Sequence, residues 1–151
     1  MKPLRIYIDT SVVGGVFDDG FEAGSKRIFE AASDSKISLL VSDVLLDELD
    51  GAPRNIADFL DAIPLSQKEF LESRPETDSL LTAYLERDIV SPKYVDDARH
   101  VAAATVACAD AIVSWNFKHL VNPHRIAKFN LVNSELGYNP IRIISPDSLE
   151  I

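Results

Sequence analysis

Four short apolar runs constrain this chain more than any other feature: Leu4 to Ile8, Ile37 to Val41, Ala111 to Trp115 and Ile141 to Ile144. Each is closed by residues that favour turns or helix caps, namely Asp9-Thr10-Ser11, Ser42-Asp43, Asn116 and Ser145-Pro146. Runs this short and bounded in this way read as strands. Helical signals lie between them: about Ser25 to Ser33, Asp43 to Asp50 stopped by Gly51, and Pro75 to Glu86, where Leu80, Leu81, Tyr84 and Leu85 recur at helical spacing. An alanine-rich stretch from Asp96 to Ala109 is a further helix, and Asn122-Pro123 opens another that ends at Gly137. Strands alternating with helices predict an α/β fold, a mostly parallel central sheet covered by helices on both faces. From Gly51 to Tyr94 no convincing strand is legible, so about 51–94 is expected to be a helical excursion on one side of the sheet.

A length of 151 residues predicts one domain spanning 1–151, large enough to bury a core without disulfides or a structural metal. The single Cys108 agrees, since it has no partner for an intramolecular bond. The uncharged run from Val101 to Ala109 is too short to cross a bilayer, and the first residues lack the apolar core of a signal peptide. The expectation is a cytoplasmic protein with no membrane partner. Fifteen basic residues against 24 acidic ones leave a net charge of −9, which disfavours binding nucleic acid through a generally basic surface. A nucleic-acid partner would need a metal or a local basic patch.

Ligands of an open parallel sheet bind outside the carboxyl ends of its strands. Asp9 directly follows the first run, Glu48 lies on the helix after the second, Asn116 directly follows the third, and Asp96-Asp97 start the helix leading into that third run. Each has a local explanation. Asp9 suits a turn or N-cap, and Asp96 and Asp97 suit the positive end of a helix dipole. Glu48 fits less well, because Asp47, Glu48 and Asp50 crowd a helix end where the dipole favours cations. Carboxylates gathered at one edge repel, and a divalent cation removes that cost. With oxygen donors and no metal-binding pattern of Cys or His, that cation is Mg²⁺ or Mn²⁺, the chemistry of phosphodiester hydrolysis. No Gly-rich phosphate loop is present.

Four segments, in order and over nearly the whole chain, carry a resemblance: Ile6-Tyr7-Ile8-Asp9-Thr10-Ser11, Ser42-Asp43-Val44-Leu45-Leu46-Asp47-Glu48-Leu49, Asp97-Ala98-Arg99-His100-Val101-Ala102-Ala103-Ala104, and Ala109-Asp110-Ala111-Ile112-Val113-Ser114-Trp115-Asn116. The chain resembles the PIN-domain nucleases, in particular the VapC-like toxin ribonucleases of type II toxin–antitoxin pairs. The resemblance implies a three-layer α/β/α sandwich and a metal-dependent endoribonuclease, with RNA as substrate, a cognate antitoxin as partner and a homodimer as assembly. It assigns Asp9, Glu48, Asp97 and Asn116 to catalysis and to Mg²⁺ or Mn²⁺, with Thr10, Ser114 and Asp96 beside the site. Many relatives have Asp where this chain has Asn116. An amide oxygen still ligates a hard cation but adds no charge, so the resemblance also leaves open a degenerate PIN-like module that binds RNA or protein without cleaving.

Beyond Asn116 the charge changes sign, with Lys118, His119, His124, Arg125 and Lys128 following closely. Lys118, Arg125 and Lys128 are candidates to hold RNA phosphates, the alternative being a solvated helix start. Asp110 reads as a turn residue. His100, three residues after Asp97, reads as a satisfied buried side chain or as a hydrogen-bonding neighbour of the site. Trp115 suits core packing, and Phe117 is left open between packing and base stacking.

Overall fold

The computed structural model describes residues 2–151; Met1, the first position of the expected 1–151 span, lies outside the described residues. Five strands form one sheet: β1 (Leu4–Ile8), β2 (Ile37–Ser42), β3 (Lys68–Leu71), β4 (Ala111–Val113) and β5 (Ile143–Ile144). Their order is β3-β2-β1-β4-β5, and every neighbouring pair is parallel. Seven α-helices flank the sheet among the described residues: α1 (Thr10–Gly15), α2 (Glu22–Ser33), α3 (Asp43–Asp50), α4 (Arg54–Ala62), α5 (Pro75–Glu86), α6 (Val95–Val106) and α7 (Pro123–Glu135). None is long and apolar enough to cross a membrane.

The alternation of strand side chains builds two cores. Ile6, Ile8, Leu39, Val41, Ala111 and Val113 point to one face, against Val12, Ile28, Leu45 and Leu60 of α1 to α4. Tyr7, Leu40 and Ile112 point to the other, against Leu80, Tyr84, Val101 and Phe129 of α5 to α7. This is the three-layer α/β/α arrangement, with both faces of a parallel sheet covered.

The stretch expected to be a purely helical excursion differs in two ways. It contains β3, and it serves both faces: α4 joins the first core through Leu60, while α5 joins the second through Leu80 and Tyr84. β3 is an edge strand of sequence Lys-Glu-Phe-Leu, with Phe70 51% exposed. Edge strands carry charge that protects them from further pairing, so the apolar signal of a central strand is missing. The short helix α1 also escapes sequence reading, because Thr, two Val and two Gly in six residues are poor helix formers. Burial of Val12 and Val13 and the Asp9 cap outweigh that preference.

Close packing near the end of β4 depends on two glycines. A Cβ on Gly24 would stand 2.6 Å from the Trp115 ring, and one on Gly15 would stand 2.4 Å from the Ser25 hydroxyl. Their absence lets α1 and α2 press onto Trp115, whose indole N–H donates to Ser25 Oγ at 2.9 Å. The segment leading to Asn116 is thereby fixed.

Candidate active site

The chain runs from β1 outward through β2 to β3 and then crosses back to β4 on the other side of β1. That reversal opens a crevice above the carboxyl ends of β1 and β4, the usual ligand position in such sheets. Asp9 and the Ser114–Asn116 turn occupy its floor.

Asp9 ends β1 and caps α1. Its Oδ1 accepts the Val12 N–H at 3.3 Å and the Ser11 hydroxyl at 2.6 Å, and its Oδ2 accepts the Ser114 hydroxyl at 2.6 Å. Burial, with 5% of the residue exposed, pushes its carboxyl above the ordinary range despite these bonds and the nearby His100. Glu48 reaches the same rim from the last turn of α3. One of its oxygens accepts the Thr10 hydroxyl at 2.8 Å and meets His100 Nε2 at 2.5 Å. Burial pushes Glu48 up, but His100, Thr10 and Arg99 outweigh it and hold this carboxyl below its usual value.

Asp97 lies in the first turn of α6. Burial, together with the negative charges of Asp9 and Glu48, pushes its carboxyl up to about 6. Asn116 Nδ2 donates to Asp97 at 3.3 Å, the Asn116 N–H donates to Ser114 Oγ at 2.9 Å, and its amide oxygen accepts the His119 N–H at 3.0 Å. Ser114 thus links Asp9 to Asn116, and Asn116 links onward to Asp97. The amide expected as a ligand has both of its ends engaged by protein.

The four principal residues therefore share one rim, with Thr10 and Ser114 bonded to three of them, Glu48, Asp9 and Asn116. Asp96 is drawn aside by Arg99, whose guanidinium lies 3.1 Å from it and 3.8 Å from Asp47. The acidic crowding at the end of α3 is resolved in the same way: Glu48 turns to the rim, Asp47 meets Arg99 and Asp50 is exposed. Asp110 lies at the opposite end of the sheet, accepting the Arg5 N–H at 2.7 Å.

Two solved structures share this arrangement of elements. VapBC2 from Rickettsia felis, bound to a DNA fragment from its promoter, superposes with a TM-score of 0.59 at 12% identity, over 94% of this chain and 98% of that one. VapC20 from Mycobacterium tuberculosis, a sarcin–ricin loop cleaving toxin, superposes with a TM-score of 0.53 at 18% identity, over 91% and 98%. This chain has the PIN-domain fold of the VapC toxins. At these identities the likeness is one of fold. No protein-family model and no curated protein matches the sequence.

Within this PIN fold the acids share the rim without standing as a closed ligand set. Among the described residues, no three Asp, Glu, His or Cys side chains are grouped closely enough to hold an ion. Each acid is engaged by partners of its own: serines hold Asp9, Asn116 holds Asp97, and Thr10 and His100 hold Glu48.

The basic segment is divided by its packing. Arg125 Nη1 donates to the Ile89 carbonyl at 2.5 Å, so this guanidinium ties α7 to the end of α5. His119 is buried against Tyr94 with ring centroids 3.9 Å apart. Lys118, Lys128 and His124 are exposed. Trp115 packs in the core as expected, and Phe117 is half exposed beside Asn116.

Three polar residues near the rim escape a reading of the sequence: Ser11, Ser42 and Tyr7. A serine two residues after a strand-end Asp is a local signal that would have found Ser11. Tyr7, within an apolar strand, gives none.

Proposed function

We propose that this chain is a metal-dependent endoribonuclease that hydrolyses RNA phosphodiester bonds, and that it is the toxin of a toxin–antitoxin pair. The observation that carries this reading is the position of Asp9, Glu48 and Asp97 around the β1/β4 crevice of a VapC-like fold, with Asn116 bonded to Asp97 and joined through Ser114 to Asp9. A solved VapC of this fold is a toxin that cleaves the sarcin–ricin loop, and another is in a VapBC complex, which supports RNA as substrate and an antitoxin as partner.

The donors suit a hard divalent ion: three carboxylates, hydroxyls and an amide, with no thiol at the rim. Asp9, Glu48 and Asp97 would hold Mg²⁺ or Mn²⁺. When bound, such an ion activates water and neutralises charge on phosphate oxygens. The chain's own groups orient the carboxylates: Ser11 and Ser114 hold Asp9, Thr10 holds Glu48, and Asn116 holds Asp97. Asn116 would then act chiefly on Asp97, with Lys118 and Lys128 resting the RNA backbone beside the rim. A toxin of this kind acts on cytoplasmic RNA, and a homodimer is its expected assembly.

The test is incubation of the purified chain with single-stranded and structured RNAs in Mg²⁺, in Mn²⁺ and in EDTA, beside an Asp9→Asn control. Cleavage with either ion that disappears in EDTA and in the variant is expected. Metal-independent cleavage, or cleavage by the variant at the parent rate, would overturn the reading. RNA binding without cleavage in every condition would make the chain a degenerate PIN-like binding module.

A further inference from the structure

The contact of His100 with Glu48 is the near end of a buried line of polar groups whose inner members, Tyr7 and Ser42, have no role above. His100 Nε2 meets Glu48 at 2.5 Å, His100 Nδ1 meets the Tyr7 hydroxyl at 2.6 Å, and that hydroxyl meets Ser42 Oγ at 2.6 Å. Ser42 in turn accepts the Leu45 N–H at 3.2 Å and so caps α3, the helix that carries Glu48. His100 is 1% exposed, and Tyr7 and Ser42 are fully buried. The strand neighbours of Tyr7 that are buried with it on this face, Leu40 and Ile112, are apolar.

The donors and acceptors admit one consistent direction for a neutral imidazole. A carboxylate only accepts, so Nε2 carries the ring proton. Nδ1 then accepts from the Tyr7 O–H, and the Tyr7 oxygen accepts from the Ser42 O–H. Every member is satisfied, which is the condition under which a buried polar network holds one geometry. The line begins on β2, crosses β1 and α6, and ends on α3. It therefore fixes the carboxylate of Glu48 relative to β1, one wall of the crevice, and to β2 beside it.

We infer that His100, backed by Tyr7, is a positioning residue that holds the Glu48 carboxylate in place for a divalent cation. The inference rests on the metal-dependent reading for its consequence, while the hydrogen-bond line itself stands on geometry alone. Groups that orient ligating carboxylates commonly change metal affinity by about 10- to 100-fold when removed. His100→Leu removes both ring nitrogens at similar volume. His100→Gln keeps an N–H where Nε2 stands and an acceptor toward Tyr7. Tyr7→Phe removes only the hydroxyl behind the ring.

The experiment measures Mn²⁺ affinity of wild type and these variants by electron paramagnetic resonance, with thermal melts to verify folding. His100→Leu is expected to weaken Mn²⁺ at least tenfold, Tyr7→Phe less, and His100→Gln to recover most of the loss. A folded His100→Leu that binds Mn²⁺ within twofold of wild type overturns the inference. If that variant does not fold, equal affinity of Tyr7→Phe, His100→Gln and wild type does so instead. Nitrogen-15 spectra of the His100 ring supply a readout free of metal: Nε2 is expected to be protonated in wild type, and the tautomer to become mixed in Glu48→Gln and Tyr7→Phe. An Nδ1-protonated ring in wild type, or a ring unmoved by both variants, also overturns it. Absence of Mn²⁺ binding and of RNA cleavage in wild type itself, with the ring signature as expected, would instead remove the nuclease reading and leave the Glu48 clamp standing.

Discussion

At the amino end of the sheet, Arg5 gives Nε and Nη2 to Glu69 at 3.2 and 2.5 Å, Nη1 to the Ala107 carbonyl at 2.7 Å, and its backbone N–H to Asp110. At the carboxyl end of the same strands, Asp9, Glu48 and Asp97 are partly or wholly buried, while the guanidinium on that rim, Arg99, is turned to Asp47 and Asp96. One end neutralises its acids with a guanidinium. The other leaves them to hydroxyls, an amide and an imidazole, and the cost appears in the raised Asp9 and Asp97 carboxyls. The difference teaches that the amino end uses its charges to hold strands together, whereas the carboxyl end keeps buried acids without a guanidinium partner, a local cost of the kind expected at a functional site.

The largest test of that contrast is Asp9→Asn. It is expected to lower RNA cleavage on the order of 100-fold or more, since the proposed role of Asp9 is to hold an ion that contributes several kcal/mol. Because burial raises the Asp9 carboxyl, its charged form costs stability at neutral pH, and the variant should melt at or above the wild-type temperature in EDTA. Parallel cleavage and melting measurements decide; an unfolded variant would make Asp9 part of the scaffold and dissolve the comparison. Asn116→Asp sharpens it further by adding a carboxylate beside Asp97. The expected outcome is a lower melting temperature in EDTA and a larger rise on adding Mn²⁺ than in wild type, each tenfold gain in affinity being about 1.4 kcal/mol at saturation.

Replacing Lys118 and Lys128 together by Ala should weaken RNA binding similarly for all sequences and reduce the log–log salt slope by about one unit per lost phosphate contact. Unchanged slopes across a salt series would reduce this segment to a solvated helix start. The smallest effect is expected at the amino end. Arg5→Ala should cost about 1 kcal/mol in chemical denaturation, given its partial exposure, and leave cleavage at the wild-type level. A loss of activity as large as that of Asp9→Asn would erase the distinction between the two ends.

Much of the architecture is legible from local pattern. β1, α3 and α5 have the bounds their apolar spacing, caps and stop signals indicate, because those signals act within a few residues. β4 ends at Val113 and β5 begins at Ile143, so the apolar runs overstate both strands. The reason is the same in each case. Trp115 and Ile141 are apolar for the sake of the core, where both are buried, and not for ladder pairing.

By itself the sequence determined that strands and helices alternate, that acids follow the strand ends, and that a parallel sheet would bring those ends to one edge. Tertiary structure alone decided which partner each acid meets. Thr10 reaches Glu48 across 38 residues, His100 reaches it across 52, and Ser114 reaches Asp9 across 105. Only the packed sheet brings such partners within hydrogen-bond distance, and neither spacing nor composition records them. The same holds for Arg99, which claims Asp47 and Asp96 and leaves Glu48 to the crevice. It holds for β3 as well, whose charged sequence becomes a strand because β2 offers it an open edge. Local chemistry acts through neighbours in the chain, whereas the charge balance of the crevice is set by neighbours in space.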